Sequence, residues 1–169
     1  MDVEKAIKMA IDYETKVHGV YAEAARAAID PTGKKIFEVL AEEEKHHVDY
    51  LQSRLTQWHK DGKLHAEKLE TAIPARKVIE QGVKKLQGHM KDTANKANIQ
   101  MLQRALDVEM ETSNFYKTMV TQLKAEPQKM FARFLEIEEG HQAIVKAEID
   151  SLTGNGVWFD FIEFDLESN

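Results

Sequence analysis

Six side chains have the types and the spacing of ligands to a pair of metal ions: Glu14, Glu44, His47, Glu109, Glu138 and His141. Glu44 with His47, and Glu138 with His141, are Glu-x-x-His pairs, and a helix turns residues three apart to one face. At helical spacing Phe37, Leu40, Glu44, His47, Leu51 and Leu55 share one stripe, so a carboxylate and an imidazole interrupt an apolar face. Taken singly, each Glu reads as part of a solvated surface. Taken together, four carboxylates directed into one interior could not stay ionised without a penalty on the order of several kcal/mol each. Two divalent cations cancel the four negative charges, and each imidazole adds a neutral nitrogen. An oxygen-rich set with two nitrogens and no thiolate suits iron or manganese, with zinc an adventitious occupant.

An internal repeat ties these residues together. Ala10-Ile11-Asp12-Tyr13-Glu14 followed by Tyr21 matches Ala105-Leu106-Asp107-Val108-Glu109 followed by Tyr116. The stripe from Phe37 to Leu55 matches Phe131, Phe134, Glu138, His141, Val145 and Ile149. Glu43 with His46 is a competing Glu-x-x-His pair. Ile144 and Val145, six and seven residues beyond Glu138, decide between the registers. Tyr50 and Leu51 reproduce them from Glu44, whereas Glu43 would place Asp49 there. Glu44 and His47 are therefore the inner pair, with Glu42, Glu43 and His46 as a wet flank. Glu139 reads as solvated, and His18, His46, His59, His65 and His89 as surface residues. Tyr21 and Tyr116 read either as core aromatics or as partners of the carboxylates.

The elements that must carry this set are helices. Hydrophobic residues make up 43% and charged residues 31% of the 169, and 3 prolines and 8 glycines leave long stretches uninterrupted. Apolar periodicity predicts helices over about 2–28, 31–59, 93–124 and 127–152, with Asp30-Pro31 and Glu126-Pro127 as breaks. Pro74 starts a shorter helix carrying Val78, Ile79, Val83 and Leu86, ended by Gly88, within a crossover too long for a hairpin. The expected fold is all-α: one domain over 1–169, repeat halves at about 2–60 and 94–152, a crossover at about 61–93 and a tail at 153–169. That tail carries Trp158, Phe159, Phe161 and Phe164 and reads as an extended cover for a bundle end or a subunit contact. The net charge of -6 argues against nucleic-acid binding, and the absence of cysteine excludes disulfides, iron–sulfur centres and thiol nucleophiles. No stretch resembles a signal peptide or reaches the roughly 20 apolar residues of a membrane span. A cytoplasmic protein is expected.

The sequence resembles the rubrerythrin branch of the ferritin-like superfamily over about residues 2–152. The resemblance rests on Ala-Ile-Asp-Tyr-Glu-Thr-Lys-Val-His-Gly-Val-Tyr around Glu14 and Tyr21, on Glu-Glu-Glu-Lys-His-His around Glu44 and His47, and on their second-half counterparts. It implies a four-helix bundle whose helices supply one Glu, one Glu-x-x-His, one Glu and one Glu-x-x-His to a pair of irons. It further implies that Glu44 and Glu138 bridge the metals, that Glu14 and Glu109 are terminal, and that His47 and His141 each hold one iron. Tyr21 and Tyr116 would hydrogen-bond ligand carboxylates and fix their orientation.

Two departures qualify the likeness. Full-length rubrerythrins add a rubredoxin-like domain with four cysteines; without cysteine here, electrons are expected from a separate protein such as rubredoxin. The family's extra carboxylate after the third-helix Glu is replaced by Thr112, with Val17 as its first-half counterpart, so a more symmetric centre is expected. The function implied is reduction of hydrogen peroxide or dioxygen, in a homodimer or larger homo-oligomer. Iron handling as a ferroxidase, a non-enzymatic metal sensor and a purely structural bundle are the rival readings.

Overall fold

The computed structural model describes residues 2–65, 67–86 and 96–154, the last five residues before position 87 by backbone alone. Five helices follow in order: α1 (Val3–Ala27), α2 (Pro31–Asp61), α3 (Arg76–Leu86), α4 (Lys96–Gln122) and α5 (Ala125–Gly154). No strand occurs among the described residues. The helix end expected at Gly88, the start at Thr93, His89 and the aromatic tail lie outside them.

Local chemistry sets the helix ends. Asp2 caps α1, its carboxylate accepting from Lys5 N–H at 3.3 Å. Asp30 does the same for α2 through Gly33 N–H at 2.9 Å, and Pro31 occupies the first turn, where a missing N–H costs nothing. Gly62 closes α2 in the left-handed region at φ 67°, its N–H bonding Trp58 O. The fourth long helix begins earlier than the Glu126-Pro127 break suggests. α5 starts at Ala125 and admits Pro127 within its first turn, where amides have no helical partner anyway. Ala125 itself stands at φ 57°, the single non-glycine residue with positive φ among those described.

The packing is antiparallel throughout. On α1 and α2, Glu4 pairs with His59, Glu14 with His47, and His18 with the Ala41 carbonyl. On α4 and α5, Gln128 reaches Val120 O and Gln142 reaches Glu109 O. α1 also runs against α4, with Lys16 on Glu111 and Arg104 on Glu23. α2 and α4 therefore point the same way, and the chain between them must climb the whole bundle. It does so over α2 and α5: Arg54 donates to His65 O, Arg133 to Leu69 O, and α3 lies on α5 with Ile79 buried. This is the all-α bundle with a helix-bearing crossover expected from the sequence.

Two apolar clusters fill the interior. One gathers Val17, Phe37, Leu40, Leu102, Ala105 and Ile144; the other Ile7, Ala10, Leu51, Met119, Phe131 and Phe134. Along every long helix the boundary between them falls at a candidate ligand. Glu14 lies between Ala10 and Val17, Glu44 between Leu40 and Leu51, Glu109 between Ala105 and Met119, Glu138 between Phe134 and Ile144. The polar residues thus form a band across the middle of an otherwise apolar core.

Candidate metal centre

All six candidate ligands are fully buried, each at 0% exposure, although α1, α2, α4 and α5 supply them separately. Their side chains meet as two quartets: Glu14, Glu44, His47 and Glu138, and Glu44, Glu109, Glu138 and His141, the donor atoms of each within 4.8 Å of one another. Glu44 and Glu138 belong to both. Each spans the two histidines with one oxygen apiece. Glu44 Oε2 lies 3.2 Å from His47 Nδ1 and its Oε1 2.6 Å from His141 Nδ1. Glu138 Oε1 and Oε2 stand 3.4 and 3.8 Å from the same two nitrogens. Glu14 approaches only His47, at 3.2 Å, and Glu109 only His141, at 3.6 Å. The imidazoles lie parallel, with centroids 5.5 Å apart.

The two tyrosines cross the bundle. Tyr21 on α1 donates to Glu109 on α4, and Tyr116 on α4 donates to Glu14 on α1. Each phenol lies wholly buried and holds the outer carboxylate of the opposite half. Burial and the adjacent carboxylate, Glu109 for Tyr21 and Glu14 for Tyr116, push both phenols well above their ordinary range, so they remain donors.

The carboxylates crowd one another in this core. Burial, then the charge of Glu14, pushes Glu44 well above the carboxylate range. Burial, then Glu14, Glu44 and Glu109, does the same to Glu138. Burial also opposes ionisation of Glu14, but hydrogen bonds from His47, Glu44 and Tyr116 outweigh it and hold Glu14 below its ordinary value. His47 is raised to about 10: burial opposes its charge, and the attraction of Glu44 and Glu14 prevails. The upward shifts of Glu44, Glu138 and His47 all act against negative charge that the core cannot solvate.

Even so, buried acceptors and ring nitrogens are left over. Glu44 Oε1, Glu109 Oε2, both oxygens of Glu138, His47 Nε2 and both nitrogens of His141 have no hydrogen-bond partner. His141 Nδ1 approaches Glu44 Oε1 without hydrogen-bond alignment. Unpaired buried polar atoms cost about 1–3 kcal/mol each, and so many in one place are the donor set that a cation would satisfy. Four carboxylates and two imidazoles in two overlapping quartets fit a pair of divalent ions by charge and by donor type. The residues present suit the group.

The flanking positions divide. His46 and Glu42 are exposed and pair with each other at 3.2 Å, as the chosen register requires. His59 and His65 are exposed as expected. Glu43 is not part of the wet flank: it is buried, and its carboxylate accepts from Thr71 Oγ1 at 2.6 Å and Ala72 N–H at 3.0 Å. The crossover, whose path the helix pattern could not reveal, covers it. His18 is likewise half-buried rather than a surface residue, its Nδ1 2.8 Å from Ala41 O on α2. Val17 and Thr112 are buried, and Thr112 Oγ1 turns back to Val108 O, so neither position adds a carboxylate to the cluster. Ser113 and Gln142, which the sequence did not single out, tie α4 to α5 beside Glu109. A polar pair at helix-facing positions was the available signal.

Fold and site together define an α-helical bundle with a buried carboxylate–imidazole cluster of metal-binding composition. A family model described as Rubrerythrin matches residues 1–55, which span α1 and most of α2 and include Glu14, Tyr21, Glu44 and His47. The rubrerythrin-like reading of the sequence is thereby shown in the first helix pair, and the repeat carries the same pattern into the second. Neither the curated proteins nor the solved structures compared with the chain give a match. No helix among the described residues is long and apolar enough to cross a membrane.

Proposed function

We propose that this chain is a di-iron carboxylate oxidoreductase that reduces hydrogen peroxide, taking electrons from a donor outside the chain. One observation carries the reading: Glu44 and Glu138 each offer one oxygen toward either histidine, in a core that leaves Glu44 Oε1 and both Glu138 oxygens without a hydrogen-bond partner. In this reading Glu44 and Glu138 would be shared by two irons, with Glu14 and His47 holding one and Glu109 and His141 the other. Bound iron would supply the Lewis acidity and the two electrons that, with two protons, convert peroxide to two waters.

The chain supplies the rest. Tyr21 and Tyr116 hold Glu109 and Glu14 in place, so neither outer carboxylate has to search for its position when a metal binds. Phe134, edge-on to His47 at 5.4 Å, and the apolar clusters on either side keep bulk water from the carboxylates. These 169 residues contain no cysteine, so in this reading a rubredoxin-type electron relay would lie outside them. A cytoplasmic homodimer or larger homo-oligomer is the setting we assign to it. Manganese fits the donor set as a second occupant.

Stopped-flow oxidation of anaerobically loaded di-iron protein tests the reading. Peroxide should oxidise the centre faster than an equal concentration of dioxygen. Oxidation by dioxygen at the same rate or faster would transfer the assignment to iron handling.

A further inference from the structure

Residues 71–74 of the crossover touch both helices that carry a Glu-x-x-His pair. On α2 they close around Glu43: Thr71 Oγ1 donates to Glu43 Oε2, Ala72 N–H donates to Glu43 Oε1, and Ile73 N–H donates back to Thr71 Oγ1 at 3.0 Å. On α5 they pass directly over Gly140, where a β-carbon would stand 3.2 Å from Pro74 O and 3.7 Å from Ile73 Cγ2. Glu43 precedes Glu44, and Gly140 precedes His141. One short strap therefore spans the two helices at the level of the metal centre.

Glu43 also faces inward. One of its oxygens lies within 4.8 Å of a ring nitrogen of both His47 and His141. Each histidine has Nδ1 among the inner carboxylates, which leaves the ring proton of the ligating tautomer on Nε2. Both Nε2 atoms are buried without a hydrogen-bond partner. A ligating imidazole keeps its orientation by donating that second N–H to a carboxylate, carbonyl or water. Glu43 is the buried carboxylate beside both rings that is not itself in either quartet.

We infer that Glu43 is a positioning residue for the centre: its carboxylate links the strap at Thr71–Ala72 to His47 and His141. Loading the centre then orders the rings and the strap as one unit. The inference rests on the metal-binding reading above and adds a route by which the crossover responds to occupancy. Ala72 and Ile73, whose amides are bound into the strap, are its reporters.

The test compares wild type, Glu43→Gln and Thr71→Val, each titrated with Co(II) under argon. Readouts are the cobalt d–d absorption and amide hydrogen exchange at Ala72 and Ile73. Wild type should take up two Co(II) and gain protection at both amides on loading. Glu43→Gln should bind about 10- to 100-fold more weakly, with an altered d–d spectrum and no gain in strap protection. Thr71→Val leaves every α2 side chain in place, so it reports even where Glu43→Gln fails to fold. It removes the charge-assisted bond to Glu43 and also the acceptor of Ile73 N–H, so it should weaken binding roughly tenfold, the worth of one hydrogen bond to a charged group, and lose part of the gain in protection at Ala72. Wild-type affinity and spectrum in Glu43→Gln, wild-type affinity and protection in Thr71→Val, or strap exchange indifferent to loading would overturn the inference and leave metal binding standing. A wild-type chain that takes up no Co(II) removes the metal-binding reading itself, and the inference with it.

Discussion

In the α1–α2 half, Glu14, Tyr21, Glu44 and His47 stand where the α4–α5 half has Glu109, Tyr116, Glu138 and His141, yet the residues around them do not repeat. His18, bonded to Ala41 O, corresponds to Ser113, bonded to Gln142. Glu43, under the strap, corresponds to Ile137, which packs into the apolar core. Exposed His46 corresponds to Gly140, over which the strap passes. In the di-metal reading, a pair of ions shared between the halves would call for the same donors from both. The crossover passes only once, so whatever supports the donors from outside has no reason to be symmetric. The comparison separates what the metals require from what the connection requires.

Removing shared ligands should have the largest effect and should be alike in both halves. Glu44→Ala and Glu138→Ala are each expected to abolish stoichiometric binding of two metals, since each residue faces both histidines. Elemental analysis of protein purified without chelator reads the result. A variant that keeps both metals would break the symmetric picture. Glu14→Ala and Glu109→Ala should each lose one ion and keep the other.

The tyrosines sharpen the same comparison. Tyr21→Phe and Tyr116→Phe each delete one buried donor to a carboxylate, a bond worth about 1.5–3 kcal/mol. Metal affinity should fall about 10- to 100-fold in either variant. Competition with a calibrated chelator measures it, and a much larger loss in one variant would show that the two sites are unequal.

Gly140 and His46 then test the asymmetric layer. Gly140→Val sets a branched β-carbon 3.2 Å from the Pro74 carbonyl oxygen, an overpacking that costs about 1–3 kcal/mol. Thermal unfolding should show it as a lowered Tm. At exposed His46, the repeat partner, the same change to Val should stay within about 0.5 kcal/mol. Equal effects would mean that the strap does not bear on α5.

The smallest effect is expected between the two helix-pair connections. The α4–α5 turn holds Ala125 at φ 57°, whereas the α1–α2 turn has extended residues at Ala28 and Asp30. Ala125→Gly should raise stability by about 0.5–1 kcal/mol, because glycine occupies the left-handed region without the Cβ clash. Denaturant unfolding resolves a change of that size.

Much of this molecule was legible from residue order. Long apolar periodicities, few breakers and a repeated Glu with Tyr seven residues later place the helices and select six inward side chains. Their burial follows from local rules, since a stripe is a property of one helix. The same rules reached the Glu44 register correctly and then misread Glu43. On the helix surface Glu43 is indistinguishable from Glu42, and only the chain that returns over it, with Thr71 and Ala72, makes it interior. His18 was misjudged for the same reason: its partner is a backbone carbonyl on another helix. Gly140, alone inside a long helix, was a sequence signal of close approach that gained meaning only from Pro74.

The sequence by itself determined which residues line the bundle and which chemistry their types and count allow, because charge balance and helical period are both local properties. Tertiary structure decided three further things: that Glu44 and Glu138 each reach the histidine of the other half, that each tyrosine serves the opposite half, and that the crossover closes over Glu43. The contacts that cross between elements join side chains about 30 to 100 residues apart. No periodicity along one helix contains them, since they arise only when four helices are packed around a shared band of charge.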